Sequence, residues 1–351
     1  MRAEIPPPGT IVRPSSAGVS PVERGGAGVS PAVTEASRRR SRLSILFGLT
    51  LLFVLSATLF AQTSAQRSIA LTFDDLPMAA SNPTPAEVTA LTNSILGALS
   101  KHRAPAVGLV NESKVHLGDD AERAATLELW LKAGQQLGNH TYSHPDFNKL
   151  TLAEFTADAE RGELLLKRLL PKYHQQLRFF RFPFNHAGDT EEKKAGFQKW
   201  LAQNHYEVAT CTIENSDWVF AAAYDKALSR HDSGQIQKIR TAYLDYTDAK
   251  FPFFEKASLD VFGREFPQVF LLHANRLNAD VLDELLSQVE KRGYRFVTLE
   301  EAQSDAAYRT PDTDISPYGP MWIYRWAPAL GKKVDGRSEP EVPKWVEDLA
   351  R

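Results

Sequence analysis

The sequence predicts an α/β fold of parallel strands with outer helices, an irregular (β/α)7-type barrel. Three observations point to it. Apolar or β-branched runs of about five residues recur along the chain, the usual length of a buried strand. Stretches with helix start signals and apolar residues at helical spacing lie between them. Acids, histidines and an arginine stand directly after the runs, where a parallel fold gathers its chemistry. Six or seven such strands also suit an open, doubly wound sheet.

Taken in order, residues 1–37 are rich in Pro, Gly, Ser and Ala, with few large apolar groups to offset the entropy of ordering. Arg38, Arg39, Arg40 and Arg42 complete a basic, disordered lead over residues 1–42, and the 19 residues Leu43–Ala61 carry no charge. A basic flank before an apolar run is the pattern of an export signal, with Thr63 and Ala65 as a small-x-small cleavage site. Ser37–Arg38–Arg39 is weakly like a twin-arginine signal. The run is also just long enough to span a bilayer, so residues 43–65 read as a cleaved signal peptide or a membrane anchor through 43–61. Both readings put the body outside the cytoplasm: periplasmic, secreted, or anchored in the cell envelope. The net charge of −2 offers no footprint for nucleic acid. Cys211 is the only cysteine, which excludes an intramolecular disulfide.

The body begins with a strand at Ile69–Phe73. Thr84–Pro85–Ala86–Glu87 is a capping box with proline at the first helical position, followed by Val88, Leu91, Ile95 and Leu99 on one face. Ala106–Val110 is the second strand, and Asn111 and Glu112 behind it are candidates to line a groove. A weaker strand precedes Asn139, and Thr151–Glu154 is a second capping box whose helix stops before Pro171. Strands follow at Phe179–Phe182 and Val208–Ile213, where Cys211 is expected to be a buried small hydrophobe. Residues 219–268 break the rhythm and read as a helical insertion beside the active face. After the strand Val269–Leu272, Asn278 caps a helix carrying Leu282, Leu285, Leu286 and Val289, with Gly293 as its stop. Arg295–Leu299 is the last strand. The body therefore runs over 66–302, and an extension over 303–351, with Trp322, Trp326 and Trp345, wraps it and closes the core.

Asp74 and Asp75 stand side by side after Phe73. In a regular strand their side chains would point to opposite faces. Ending the strand at about Phe73 leaves the backbone free to turn both to one centre. His140 and His144 are four apart, and on one helical turn they face one side and can bind one metal ion. With an acid at a strand end they form a two-histidine, one-carboxylate set with positions open to water, a catalytic pattern because structural zinc sites are closed by four protein ligands. Arg181 lies at a strand end before Pro183, where a surface ion pair is its ordinary use. Asp217 and Trp218 follow another strand, and His273 ends the strand that holds Leu271.

In order and spacing these segments resemble the polysaccharide deacetylases of carbohydrate esterase family 4, the nodulation-deacetylase homology group, over residues 67–301. Thr72–Asp75, His140–His144, Arg181–Phe184, Asp217–Trp218 and Leu271–His273 match its T-F-D-D, H-[ST]-x-x-H, R-x-P-[FY], D-x-x-D-W and L-x-H motifs. The resemblance implies a hydrolase that removes acetyl groups from N-acetylated glycans. Asp75, His140 and His144 would hold a divalent metal, most often zinc. Asp74 would be the general base, paired with and oriented by Arg181. His273 would be the general acid, tuned by Asp217. Leu271 and Trp218 would wall the acetyl methyl, and the Phe184 backbone N–H would help hold the oxyanion. Leu76, Asn185 with His186, and Glu214 depart from the family pattern, which has Gly, Gly and Asp there. The same site could serve an O-acetyl ester or a non-sugar C–N bond, or the barrel could be an inactive glycan-binding protein.

Overall fold

Parallel strands are buried on both faces, so their runs read as nearly continuous apolar sequence. A computed structural model describes residues 67–80 and 82–351, and the expected lead (1–42) and signal or anchor (43–65) lie outside the described residues. The strands are β1 (Arg67–Leu76), β2 (Ala106–Val110), β3 (Gln136–Asn139), β4 (Phe179–Phe180), β5 (Glu207–Val208), β6 (Gln268–His273) and β7 (Tyr294–Phe296). They form one parallel sheet in the order β5-β4-β3-β2-β1-β6, and β7 pairs with the start of β1. Ile213, downstream of β5, bridges to Phe270 of β6 and curls the sheet into an irregular barrel. Thr212 N donates to Val269 O at 2.9 Å and Leu271 N to Ile213 O at 3.0 Å across this seam.

The helices are α1 (Pro85–Lys101), α2 (Asp120–Lys132), α3 (Leu152–Arg161), α4 (Leu164–Leu169), α5 (Glu191–Gln203), α6 (Asp217–Ser229), α7 (Ser233–Phe262), α8 (Arg276–Lys291), α9 (Leu299–Gln303), α10 (Trp322–Trp326) and α11 (Lys344–Ala350). Thr84 and Thr151 make complete capping boxes at α1 and α3. The cap of α8 is Asn275 and not Asn278: the Asn275 side chain accepts from Asn278 N at 2.8 Å, which frees the Asn278 amide for the site. The stretch Val208–Ile213 is paired only at its ends, and the last strand stops at Phe296 because Thr298 caps α9. Among the described residues no helix is long and apolar enough to cross a membrane.

Alternation along the strands divides the core. Ala70, Val107, Phe179 and Val269 pack together inside the curl, whereas Ile69, Leu71, Phe73, Phe270 and Leu272 pack under the helices. The β1–β6 register pairs Ala70 with Val269, Thr72 with Leu271 and Asp74 with His273. Asp74, Leu271 and His273 thus continue the inner face to its C-terminal rim.

Candidate active site

Asp74 reaches the rim by ordinary alternation, but Asp75 does not. The strand runs on to Leu76, past the expected end at Phe73, and the β1–β2 register slips between Phe73 and Leu76. The slip is a β-bulge with Asp75 at φ 71. A bulge residue in the left-handed region re-aims its side chain, and Asp tolerates that region better than most residues. Leu76, fully buried, ends the bulge over Gly108, where a Cβ would lie 2.4 Å from its Cδ2. A large side chain at 76 is matched by a missing one at 108.

His140 and His144 sit on a loop, not a helical turn. Thr141 (φ 68) and His144 (φ 58) fold it back on itself. Asn139 Oδ1 accepts from Thr141 N at 2.7 Å, Thr141 Oγ1 accepts from His144 N at 3.1 Å, and Asp158 Oδ1 accepts from Tyr142 N and Ser143 N at 2.9 and 3.0 Å. Gly162 lets the loop seat, since a Cβ there would lie 2.6 Å from Thr141 C. His140 Nδ1 donates to Arg181 O at 2.9 Å, which leaves Nε2 as the acceptor nitrogen. That Nε2 lies 4.0 Å from Asp75 Oδ1, and His144 Nε2 lies 3.6 Å from the same oxygen. The three donor atoms fall within 4.8 Å of one another.

Electrostatics suit a cation here. Burial, then the neighbouring imidazole and Lys114, push His144 down to about 4; burial likewise pushes His140 down to about 3, over the opposing charge of Asp75. Both are neutral at pH 7 and able to ligate. Burial opposes ionisation of Asp75, but Lys114 and the surrounding histidines outweigh it and hold the carboxyl below its usual range. Asp75 Oδ1 is buried and has no hydrogen-bond partner, although Lys114 Nζ stands 3.2 Å away. Two neutral imidazoles and an orphaned carboxylate oxygen fit a divalent metal of the zinc type.

Arg181 is fully buried behind the acids. Its Nε donates to Ala209 O at 2.6 Å, Nη2 to Thr72 Oγ1 at 3.0 Å and Nη1 to Asp74 Oδ2 at 3.4 Å. Burial raises the Asp74 pKa against the pull of Arg181 and His273, and Asp74 Oδ1 has no hydrogen-bond partner. Across the cleft, His273 Nδ1 donates to Asp217 Oδ1 at 2.7 Å. Asp217, in the first turn of α6, also accepts from His273 N at 2.7 Å, Asn275 Nδ2 at 3.1 Å and Asn278 Nδ2 at 2.6 Å. Burial works against the charged imidazole, yet Asp217, Asp75 and Asp74 prevail and push His273 up to about 9.

These groups open on one cleft of ≈ 1360 Å³. Asp74, Asp75, His140, His144, Asp217 and His273 line it together with Phe184, Trp218 and Leu271, while Arg181 lies beneath its floor. Phe184 and Trp218 are 54% and 65% exposed, so they stand at the lip and not in the core. Asn111 and Glu112 do not line the cleft. Asn111 Nδ2 donates to His140 O at 2.5 Å, and Glu112 Oε2 accepts from Leu165 N at 2.8 Å, so both brace the loops behind.

The sequence model of the polysaccharide deacetylase family matches residues 61–200, which hold Asp74, Asp75, His140, His144 and Arg181. Over these residues the chain is similar to the polysaccharide deacetylase family. A peptidoglycan-N-acetylglucosamine deacetylase of Bacillus cereus is 25% identical over 66% of this chain and 66% of its own length. The peptidoglycan-N-acetylmuramic acid deacetylase PdaC of Bacillus subtilis is 24% identical over 68% of this chain and 39% of its own. A chitin deacetylase of Arthroderma benhamiae is 23% identical over 71% of this chain and 55% of its own. The chain thus spans at most about two thirds of these relatives.

Some cleft residues carry no sequence signal. Lys114 follows β2 in a short turn, and only the bulge at Asp75 brings the two together. Gly319, Pro320, Met321, Tyr324 and Glu339 also line the cleft, although the C-terminal extension was expected mainly to close the core. Their sequence distance from β1–β7 hides them.

Proposed function

We propose that this protein is a metal-dependent hydrolase that removes acetyl groups from N-acetylated glycans outside the cytoplasm. One observation carries the reading: a two-histidine, one-carboxylate donor set lies in one cleft with two separately held proton-transfer pairs, Asp74–Arg181 and His273–Asp217. In this reading Asp75, His140 and His144 hold the metal, with zinc favoured by the donor set. When bound, such an ion lowers the pKa of a water in the site and polarises the acetyl carbonyl.

The chain's own groups do the rest. Asp74 is the general base: Arg181 fixes Oδ2, and the partnerless Oδ1 takes the proton of the attacking water. Burial makes this carboxylate more basic than a free aspartate. His273 is the general acid. Asp217 holds its Nδ1, so the proton on Nε2 is the one given to the leaving amine. The Phe184 backbone N–H donates to the developing oxyanion. Leu271 and Trp218 wall the acetyl methyl.

Zinc-loaded protein is expected to release acetate from chitooligosaccharides or peptidoglycan fragments, to lose this on chelation and to regain it with zinc. Asp74→Asn should lower the rate by about 10²–10⁴. Wild-type acetate release by Asp74→Asn would sink the mechanism. Turnover of acetyl-xylan or simple amides, with none of N-acetylated glycans, would move the activity to esters or non-sugar C–N bonds.

A further inference from the structure

The C-terminal segment 311–343 lies beyond the family match, yet it supplies one wall of the cleft. It is fastened to the active face. Arg325, 1% exposed, donates through Nη2 to Asn185 O and through Nε to Pro320 O at 2.9 Å, and it pairs with Asp312 at 3.4 Å. Trp322 N donates to Cys211 O at 3.0 Å, and Asn148 Nδ2 to Pro317 O at 2.9 Å. Trp322, Ile323 and Trp326 are buried beneath it. A segment held by a buried cation and buried indoles is a fixed wall, not a loose tail.

The wall has a defined chemistry. Lys250 Nζ, almost wholly buried in α7, lies 2.5 Å from Glu339 Oε1 and 2.5 Å from Glu214 Oε1. Tyr324 donates to Glu339 Oε2 at 2.6 Å. Glu214, Tyr324 and Glu339 all line the cleft, whereas Lys250 does not. Two carboxylates share one ammonium behind them, so the wall turns an excess of negative charge toward the ligand space. Glu214 Oε2 already accepts from Ser216 N and Oγ at 2.8 and 3.3 Å, whereas Glu214 Oε1 and both Glu339 oxygens keep further acceptor capacity.

We propose that Glu339, Tyr324 and Glu214 form a subsite for the sugar unit next to the one that loses its acetyl group, accepting the hydroxyl donors of a neutral unit and rejecting a unit that bears a carboxylate. The proposal rests on the reading of the cleft as a glycan deacetylase. Hydroxyl donors meet acceptors placed for them, while a like charge is brought against an uncompensated one, the arrangement that sets specificity more than affinity. Glu214 stands where the family pattern has Asp. The longer side chain reaches Lys250 and so ties the wall to the C-terminal segment.

The test measures acetate release, and separately binding by calorimetric titration, for wild type, Glu339→Gln and Tyr324→Phe. The probes are N-acetylglucosamine oligomers of increasing length and an oligosaccharide of matched length with lactyl carboxylates. Both variants should raise KM and Kd for the longest neutral oligomer about tenfold with kcat kept, and the effect should grow with chain length. Wild type should bind the carboxylated oligosaccharide at least about tenfold more weakly than the neutral one, and Glu339→Gln should narrow that gap. A KM or Kd change equal at every length, or equal wild-type affinity for the two oligosaccharides, overturns the subsite. If wild type binds these glycans but releases no acetate, the deacetylase reading falls, and the binding results still decide the subsite.

Discussion

Replacing Asp217 by Asn isolates the group that tunes the proposed acid. The Asp217 carboxylate accepts from His273 N and Nδ1, Asn275 Nδ2 and Asn278 Nδ2. An amide keeps one acceptor oxygen and turns an NH₂ against donors, so the charge-assisted bond to the imidazole is lost. Such bonds are worth about 1.5–3 kcal/mol, which at 1.36 kcal/mol per unit lowers the His273 pKa by about 1–2 units. His273 now stands at about 9, because Asp217, Asp75 and Asp74 outweigh its burial. A general acid works only while protonated, so kcat/KM falls as pH rises through that value, and Asp217→Asn moves the fall to lower pH by about 1–2 units. A cation on Asp75 draws both alkaline limbs down, which makes the difference between the proteins the readout. Stability follows the same sign. A folded pKa raised above the unfolded value of about 6.5 gives stability that is complete below 6.5 and lost as pH rises through about 9. The assay is kcat/KM for acetate release across neutral and alkaline pH, with Tm at each point. A folded Asp217→Asn protein whose alkaline limb stays at the wild-type position would refute the role of this pair.

Two further substitutions probe the frame of the cleft. A Cβ at Gly319 would lie 1.8 Å from Phe184 O, so Gly319→Ala must displace the turn that carries the proposed oxyanion donor; kcat should drop about a hundredfold with KM little changed, and an unchanged kcat would show that the Phe184 backbone is not engaged. Leu76→Ala should cost about 2–5 kcal/mol in denaturant unfolding through the cavity it leaves. Gly108→Ala should also destabilise, by driving a methyl into Leu76, and the double variant should be more stable than the sum of the single losses implies; simple additivity would show that the two positions do not share that space.

Much of the candidate site is legible in the sequence. The residues proposed to carry the chemistry lie within short segments whose spacing is set by the chain itself, each just past a strand. Those strands were readable because parallel strands are apolar on both faces and end abruptly in polar residues. The local route to each geometry was less legible. Continuation of β1 through a bulge, with Asp75 left-handed, replaces the expected end of the strand at Phe73. The His140–His144 loop replaces the expected helical turn, because Asn139, Thr141 and Asp158 satisfy its backbone outside a helix. Asn278 gives up the cap of α8 to hold Asp217.

The sequence alone determined which residue types gather at the strand ends, since period-two alternation and turn chemistry are written in adjacent residues. Tertiary structure alone decided what surrounds them. Lys114 meets Asp75 only through the bulge. Leu76 makes sense only against Gly108, which lies on the neighbouring strand. The wall of Tyr324 and Glu339 exists because the buried Arg325 and Lys250 find partners far along the chain, Asn185 O and Glu339 respectively. A buried cation left unpaired is too costly to tolerate, so these long-range pairings are fixed by packing and not by any pattern within the segments themselves.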